Sequence, residues 1–201
     1  MSKKMDLLQI AARHFANYGY SGVSLDKIAK EAGVTKPAIY YHFKNKDELY
    51  EAVLMYRFDT LLHHLEKKIA ARMPAQKLVQ YIEGFGEYLQ QNPCFAAILA
   101  HEFADNGKHM SDSAAKQLSK TLNMLTSILN EGIAKEEFAI ENPMVVQMMI
   151  VSSLIMHQTT KELRGRVANF VEGYKILPDP NIEDFAKLLA RKIEKLIRKV
   201  P

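Results

Sequence analysis

Apolar residues in this chain recur at intervals of three and four almost from end to end, and that spacing commits it to helices. Leu7, Ile10, Ala11 and Phe15 form one stripe; Leu78, Tyr81, Ile82, Phe85, Tyr88 and Leu89 form another. No alternating run bounded by turn residues is long enough for a strand, so the predicted fold class is all-α. Breaks fall near Gly19–Gly22, Gly33, Asn45, Met73–Pro74, Asn92–Pro93, Asp105–Gly107, Glu141–Pro143, Gly173 and Leu177–Pro180. They imply about nine helices. Two starts carry clear capping chemistry: Asn45 with Glu48 three residues on, and Asn142 followed by Pro143.

A chain of 201 residues suits one large domain or a small domain fused to a larger one, and 48% hydrophobic with 25% charged residues is an ordinary globular balance. The net charge is only +4, so a nucleic-acid surface has to be a local patch. The one cysteine, Cys94, excludes an intrachain disulfide and fits a reducing compartment. The opening MSKKMDLLQIAARHF lacks the uninterrupted apolar core and cleavage site of a signal peptide. The most apolar run, Met144 to Met156, falls short of the roughly 20 residues that span a bilayer. A soluble, cytoplasmic protein is expected.

Positive charge is concentrated at the N-terminal end. Through Lys46 there are eight Lys and Arg against three Asp and Glu, a surplus of five. The same segment reads as three short helices, at about 5–18, 25–32 and 36–43, whereas the rest has longer helices and more methionine. Ser24 is placed to cap the second helix, with Asp26 in its first turn. Gly33 permits a left-handed turn, Val34 plugs it, Thr35 caps the third helix and Pro37 sits in that helix's first turn. Ile39 and Phe43 supply its buried edge. A helix, a glycine-containing turn and a second short helix make the helix-turn-helix pattern, whose second helix enters the major groove of DNA.

The stretch AARHFANYGYSGVSLDKIAKEAGVTKPAIYYHFKNKDEL, within about Leu7 to Val53, resembles the TetR family of bacterial transcriptional regulators. Its AGVTKPAIYYHFKNKDEL portion is the most diagnostic part, because turn, recognition helix and the start of the next helix are all in register. The family commonly has glycine where Pro37 stands, although proline also occurs there. The resemblance implies a DNA-binding domain at 1–48 and a helical effector-binding and dimerisation domain at 49–201.

Roles on the recognition segment follow from reach. Lys36 is the candidate for a direct base contact, since lysine donates to guanine O6 or N7. Pro37 and Ala38 suit a thymine methyl or close backbone approach. Tyr40, Tyr41 and His42 are expected to anchor phosphates, as the resemblance also implies: rigid rings with a donor at the tip set register without reading sequence. Ser24 and Thr35 can offer hydroxyl and backbone N–H groups to phosphates. Lys46 is expected to clamp the flanking backbone, and Lys3 and Lys4 to add an arm.

The resemblance carries no residue-by-residue match beyond this segment. The stretch NIEDFAKLLARKIEKLIRKV gathers Ile182, Phe185, Leu188, Leu189, Ile193, Leu196, Ile197 and Val200 on one side. The helix from about Pro143 to Leu163 is apolar nearly all round and needs cover on two sides. The last two helices are therefore expected to pair with their copies in a two-fold four-helix bundle, which sets two recognition helices on a palindromic operator. An effector pocket is expected among the central helices, lined by Tyr81, Phe85, Tyr88, Phe95, His101, Phe103, Met124 and Met148. Methionine there suits a loosely specified apolar ligand. Met149, Met156, Glu102 and His157 are further options, although such stripes also serve as plain core.

Catalysis finds little support. No glutamate is followed three residues later by histidine, as a di-iron carboxylate bundle would need, and HExxH, GxxxxGK[ST] and GxSxG are absent. Adjacent His63 and His64 point to different helix faces. No catalytic residue, metal or cofactor is expected. The expected function is a homodimeric repressor released from its operator by a small effector. The alternative is a protein-interaction module of the same fold without sequence-specific DNA binding.

Overall fold

A computed structural model describes residues 3–172 and 178–199. The expected breaks at Gly173 and Leu177, and Val200 of the final stripe, lie outside the described residues. Within them the chain forms ten helices: α1 (Lys3–Tyr18), α2 (Leu25–Glu31), α3 (Lys36–His42), α4 (Lys46–Lys68), α5 (Pro74–Gln91), α6 (Pro93–Ala104), α7 (Asp112–Ala134), α8 (Pro143–Thr159), α9 (Lys161–Ala168) and α10 (Ile182–Ile197). The all-α class and a count near nine hold. The added helix arises where the expected Pro143–Leu163 element divides at Thr160. There the Arg164 guanidinium donates to the His157 carbonyl at 2.6 Å and to Thr160 Oγ1 at 2.9 Å.

The foreseen caps are present. Asn45 Oδ1 accepts from Glu48 N at 2.9 Å, and the Glu48 carboxylate reaches back to Lys44 N at 2.7 Å. Asn142 Oδ1 accepts from Met144 N at 2.9 Å, with Pro143 opening the helix. Asn181 does the same for α10, accepting from Asp184 N at 2.8 Å.

Packing divides the chain into two compact units. One comprises the chain up to Thr60 together with Pro93–Ser119; the other comprises Leu61–Asn92 together with the chain from Lys120 on. In the first, α1 packs on α2 and α6, and α2 on α3. Its core is built from Leu7, Ala11 and Phe15 of α1, Ile28 of α2, Ile39 of α3, Leu49 and Tyr50 of α4, and Phe95 of α6, all buried. Leu7, Ala11 and Phe15 come from the first sequence stripe, and burying the whole set supplies the main drive for the fold.

In the second unit α10 lies along α5 and α8, and α5 meets α8. Gly86 makes the close approach possible: a Cβ there would stand 2.5 Å from the Ala186 Cβ of α10. Tyr81 is wholly buried and donates to Gln147 Oε1 at 2.9 Å and to the Thr121 carbonyl at 3.2 Å, and burial pushes its phenol up to about 12. An isolated antiparallel bridge joins Phe138 to Arg198.

Candidate nucleic-acid interface

The recognition helix is held in place by a short set of local bonds. Gly33 takes φ +62, a conformation that favours glycine, and the turn closes with Gly33 N to Lys30 O at 3.3 Å and Val34 N to Ala29 O at 3.0 Å. That pair is the Schellman arrangement, and it ends α2 sharply enough for α3 to start at Lys36. Ser24 Oγ accepts from Lys27 N at 3.4 Å at the start of α2, whereas Thr35 caps α3 with its backbone alone. Ile39 and Phe43 are buried, and they fix which face of α3 turns inward.

The rest of α3 is left to solvent. Tyr41 is 85% exposed and Tyr40 47%, and the Tyr41 and His42 rings meet edge to face at 5.0 Å. Thr35, Lys36, Pro37 and Ser24 are exposed, and Ala38 is half-buried.

Two lysines stand differently from a free arm. The Lys36 ammonium lies 3.0 Å from Asp26 Oδ2 of α2, and that bond holds its pKa above the ordinary value. Lys46 Nζ donates to the Tyr20 carbonyl at 3.0 Å and the Val23 carbonyl at 3.1 Å, and it sits 4.1 Å over the Tyr20 ring. It thus ties the turn between α1 and α2 to the start of α4. Tyr20 also donates to the Asp47 carboxylate; burial first, and then that carboxylate, push its phenol up to about 12. Glu31 grips α1 from α2, accepting from Arg13 at 2.8 Å and standing 2.7 Å from His14 Nε2. Sequence reasoning passed over Asp26 as a partner of Lys36, having read it only as a helix-dipole residue.

The expected pocket residues fall into both units. Phe95 packs edge to face on Phe58 and His101 Nε2 lies 3.1 Å from the Ala16 carbonyl, both in the first unit, while Phe103 there is exposed. Tyr81, Phe85 and Tyr88 are buried in the second, Met124 is half-buried and Met148 exposed. Of the further options, Glu102 is buried and bonded to Tyr50, and His157 is stacked on Phe185 at 4.1 Å.

Comparison with known proteins accords with this geometry. The family model for bacterial regulatory proteins of the tetR family matches residues 7–53, and that for the Tetracyclin repressor-like C-terminal domain matches 74–169. The HTH-type transcriptional repressor KstR2 of Mycolicibacterium smegmatis is 29% identical over 143 residues, which cover 68% of each chain. The fatty acid metabolism regulator protein of Bacillus subtilis is 28% identical over 136 residues, covering 67% of this chain and 70% of its own. Among solved structures, the transcriptional regulator FadR from Bacillus subtilis in complex with stearoyl-CoA shares the fold. Its TM-score is 0.71 at 20% identity, with 96% of this chain and 98% of that chain covered. With both halves of the family pattern matched in order along one chain, the protein belongs to the TetR family of bacterial DNA-binding transcriptional regulators.

Proposed function

We propose that this regulator is a cytoplasmic homodimeric repressor that binds a palindromic operator through α3 and is released by a small, largely apolar effector. The observation that carries the reading is the exposed Tyr40–Tyr41–His42 face of α3, backed by buried Ile39 and Phe43. In this reading Tyr40, Tyr41 and His42 anchor phosphates, Lys36 reaches a base edge, and Pro37 and Ala38 approach closely. Ser24 and Thr35 add phosphate contacts. Lys46 acts at the start of α4, where its hold on the Tyr20 and Val23 carbonyls also fixes the turn before α2.

Function divides the chain near residue 48, with DNA binding before it and effector binding and dimerisation after it. Dimerisation is supported by the outer face of α8, where Met144, Val145, Met148 and Met156 are exposed opposite buried Val146, Ile150 and Leu154. Leu188 and Leu196 of α10 are exposed too. An apolar patch of this extent favours a partner subunit. Two recognition helices would then meet half-sites about 34–36 Å apart, or a multiple of that.

An effector with an apolar chain is supported by the Bacillus subtilis comparisons, a fatty acid metabolism regulator by sequence and a FadR solved with stearoyl-CoA by fold. Tyr81, Phe85, Tyr88 and Met124 are the residues proposed to line its site. The effector acts by preferring a conformation in which the recognition helices are wrongly spaced, with α4 as the lever. A switch from 1:99 to 99:1 needs a preference of about 5.5 kcal/mol. The cytoplasmic placement accords with a DNA target and with the finding that no helix among the described residues is long and apolar enough to cross a membrane.

Selection of duplexes from a random-sequence pool by the purified protein tests the reading. Enrichment of an inverted repeat supports it. A pool that stays random, with retention indifferent to salt, would favour a protein-interaction module instead.

A further inference from the structure

We propose that Asp26 is a positioning residue for sequence discrimination, holding the Lys36 ammonium off the phosphates so that it reads a guanine; this rests on the DNA-binding reading above. Lys36 is the first residue of α3, and its Nζ lies 3.0 Å from Asp26 Oδ2 on α2. Both side chains are largely exposed, at 45% and 67%. An exposed pair of this kind adds little to stability. Its consequence is felt at the DNA.

A lysine without a partner is a compact charge on a flexible stem, and duplex DNA offers it a phosphate charge about every 1.7 Å along the axis. Such a lysine goes to the backbone and contributes affinity without sequence. The Asp26 carboxylate takes one of the three N–H donors and cancels the net charge, leaving two donors. Guanine O6 and N7 are neutral acceptors and a phosphate is an anion, so an ammonium whose charge is offset by a carboxylate loses more at the phosphate than at the base edge. The carboxylate is itself repelled by phosphates, which penalises wrong registers. Glu31, the other acid on α2, faces Arg13 and His14 of α1 and plays no part in this arrangement.

The test uses the full-length chain, its own selected duplex, the same duplex with the Lys36-dependent G·C pair replaced, and a random-sequence duplex. Affinities are measured by fluorescence anisotropy across a salt series. Asp26→Asn is expected to bind the random duplex several-fold more tightly and to steepen the log–log salt slope by about one. It should cut the preference for the G·C pair roughly tenfold. Asp26→Glu should restore that preference, and Lys36→Gln should lose it without adding to the effect of Asp26→Asn. A purely structural role would instead weaken all three duplexes together. Wild-type slope and preference in Asp26→Asn, with wild-type selection intact, would overturn the role of Asp26 alone. A wild-type protein that selects no sequence would remove the DNA-binding reading and this inference with it.

Discussion

The Tyr50 hydroxyl of α4 donates a 2.5 Å hydrogen bond to Glu102 Oε1 of α6, with both residues buried. Burial first, and then this carboxylate, push the Tyr50 phenol well above its ordinary value. The bond therefore depends on a neutral donor facing a buried acid. Tyr50→Phe removes the donor and strands the carboxylate, at a cost of about 2 kcal/mol. In a chain of this size the Tm should fall by roughly 4–8 °C, read by circular dichroism. An unchanged melting curve would show that the pair contributes nothing.

Tyr41 touches the fold only lightly, being 85% exposed. Replacing it with Phe should leave the melting temperature alone and weaken binding to every duplex by similar factors, as loss of a phosphate contact does. Relaxed preference at a single base pair would mean that the ring reads sequence.

Glu31 ties α2 to α1, and hydrogen bonds from Arg13 first and His14 second hold its carboxyl below the ordinary 4.5. A depressed folded-state pKa contributes stability above pH 4.5 that is lost as pH falls through the lower value. Thermal melts of Glu31→Gln and the wild type should thus differ at neutral pH and converge in acid. A gap of constant size from pH 7 to 3 would contradict the assignment.

Leu188 stands exposed on α10, on the surface proposed for the partner subunit. A charge there, as in Leu188→Glu, should convert a sedimenting dimer to the 22.9 kDa monomer and weaken operator binding by at least tenfold. A dimer that persists at low micromolar concentration would place the interface elsewhere.

Features fixed by neighbours in sequence were legible before the fold was known. The Gly33 turn, the Ile39–Phe43 edge and the caps at Asn45 and Asn142 each need only residues within about five positions. The division at Thr160 was not legible, because it depends on the Arg164 side chain folding back onto carbonyls of the preceding helix. Lys36 and Lys46 looked like free cations for a related reason. Their partners lie ten and more than twenty residues away, and two of them are backbone carbonyls that composition does not reveal. Met148 belongs to a helix apolar on nearly every side, where periodicity supplies no phase, so its exposure had no signal in the sequence.

The salt dependence of operator binding tests the central claim most directly. Fluorescence anisotropy of the full-length protein on its selected duplex, from 50 to 200 mM salt, should give a straight log–log line. Its slope is predicted to be steep, about −0.9 for each phosphate neutralised by a Lys or Arg, and to become shallower by about one in Lys46→Gln, whose lysine is proposed to clamp the flanking backbone. A flat line would contradict the account, because a recognition helix that gains nothing from phosphates is not docked in a groove of DNA.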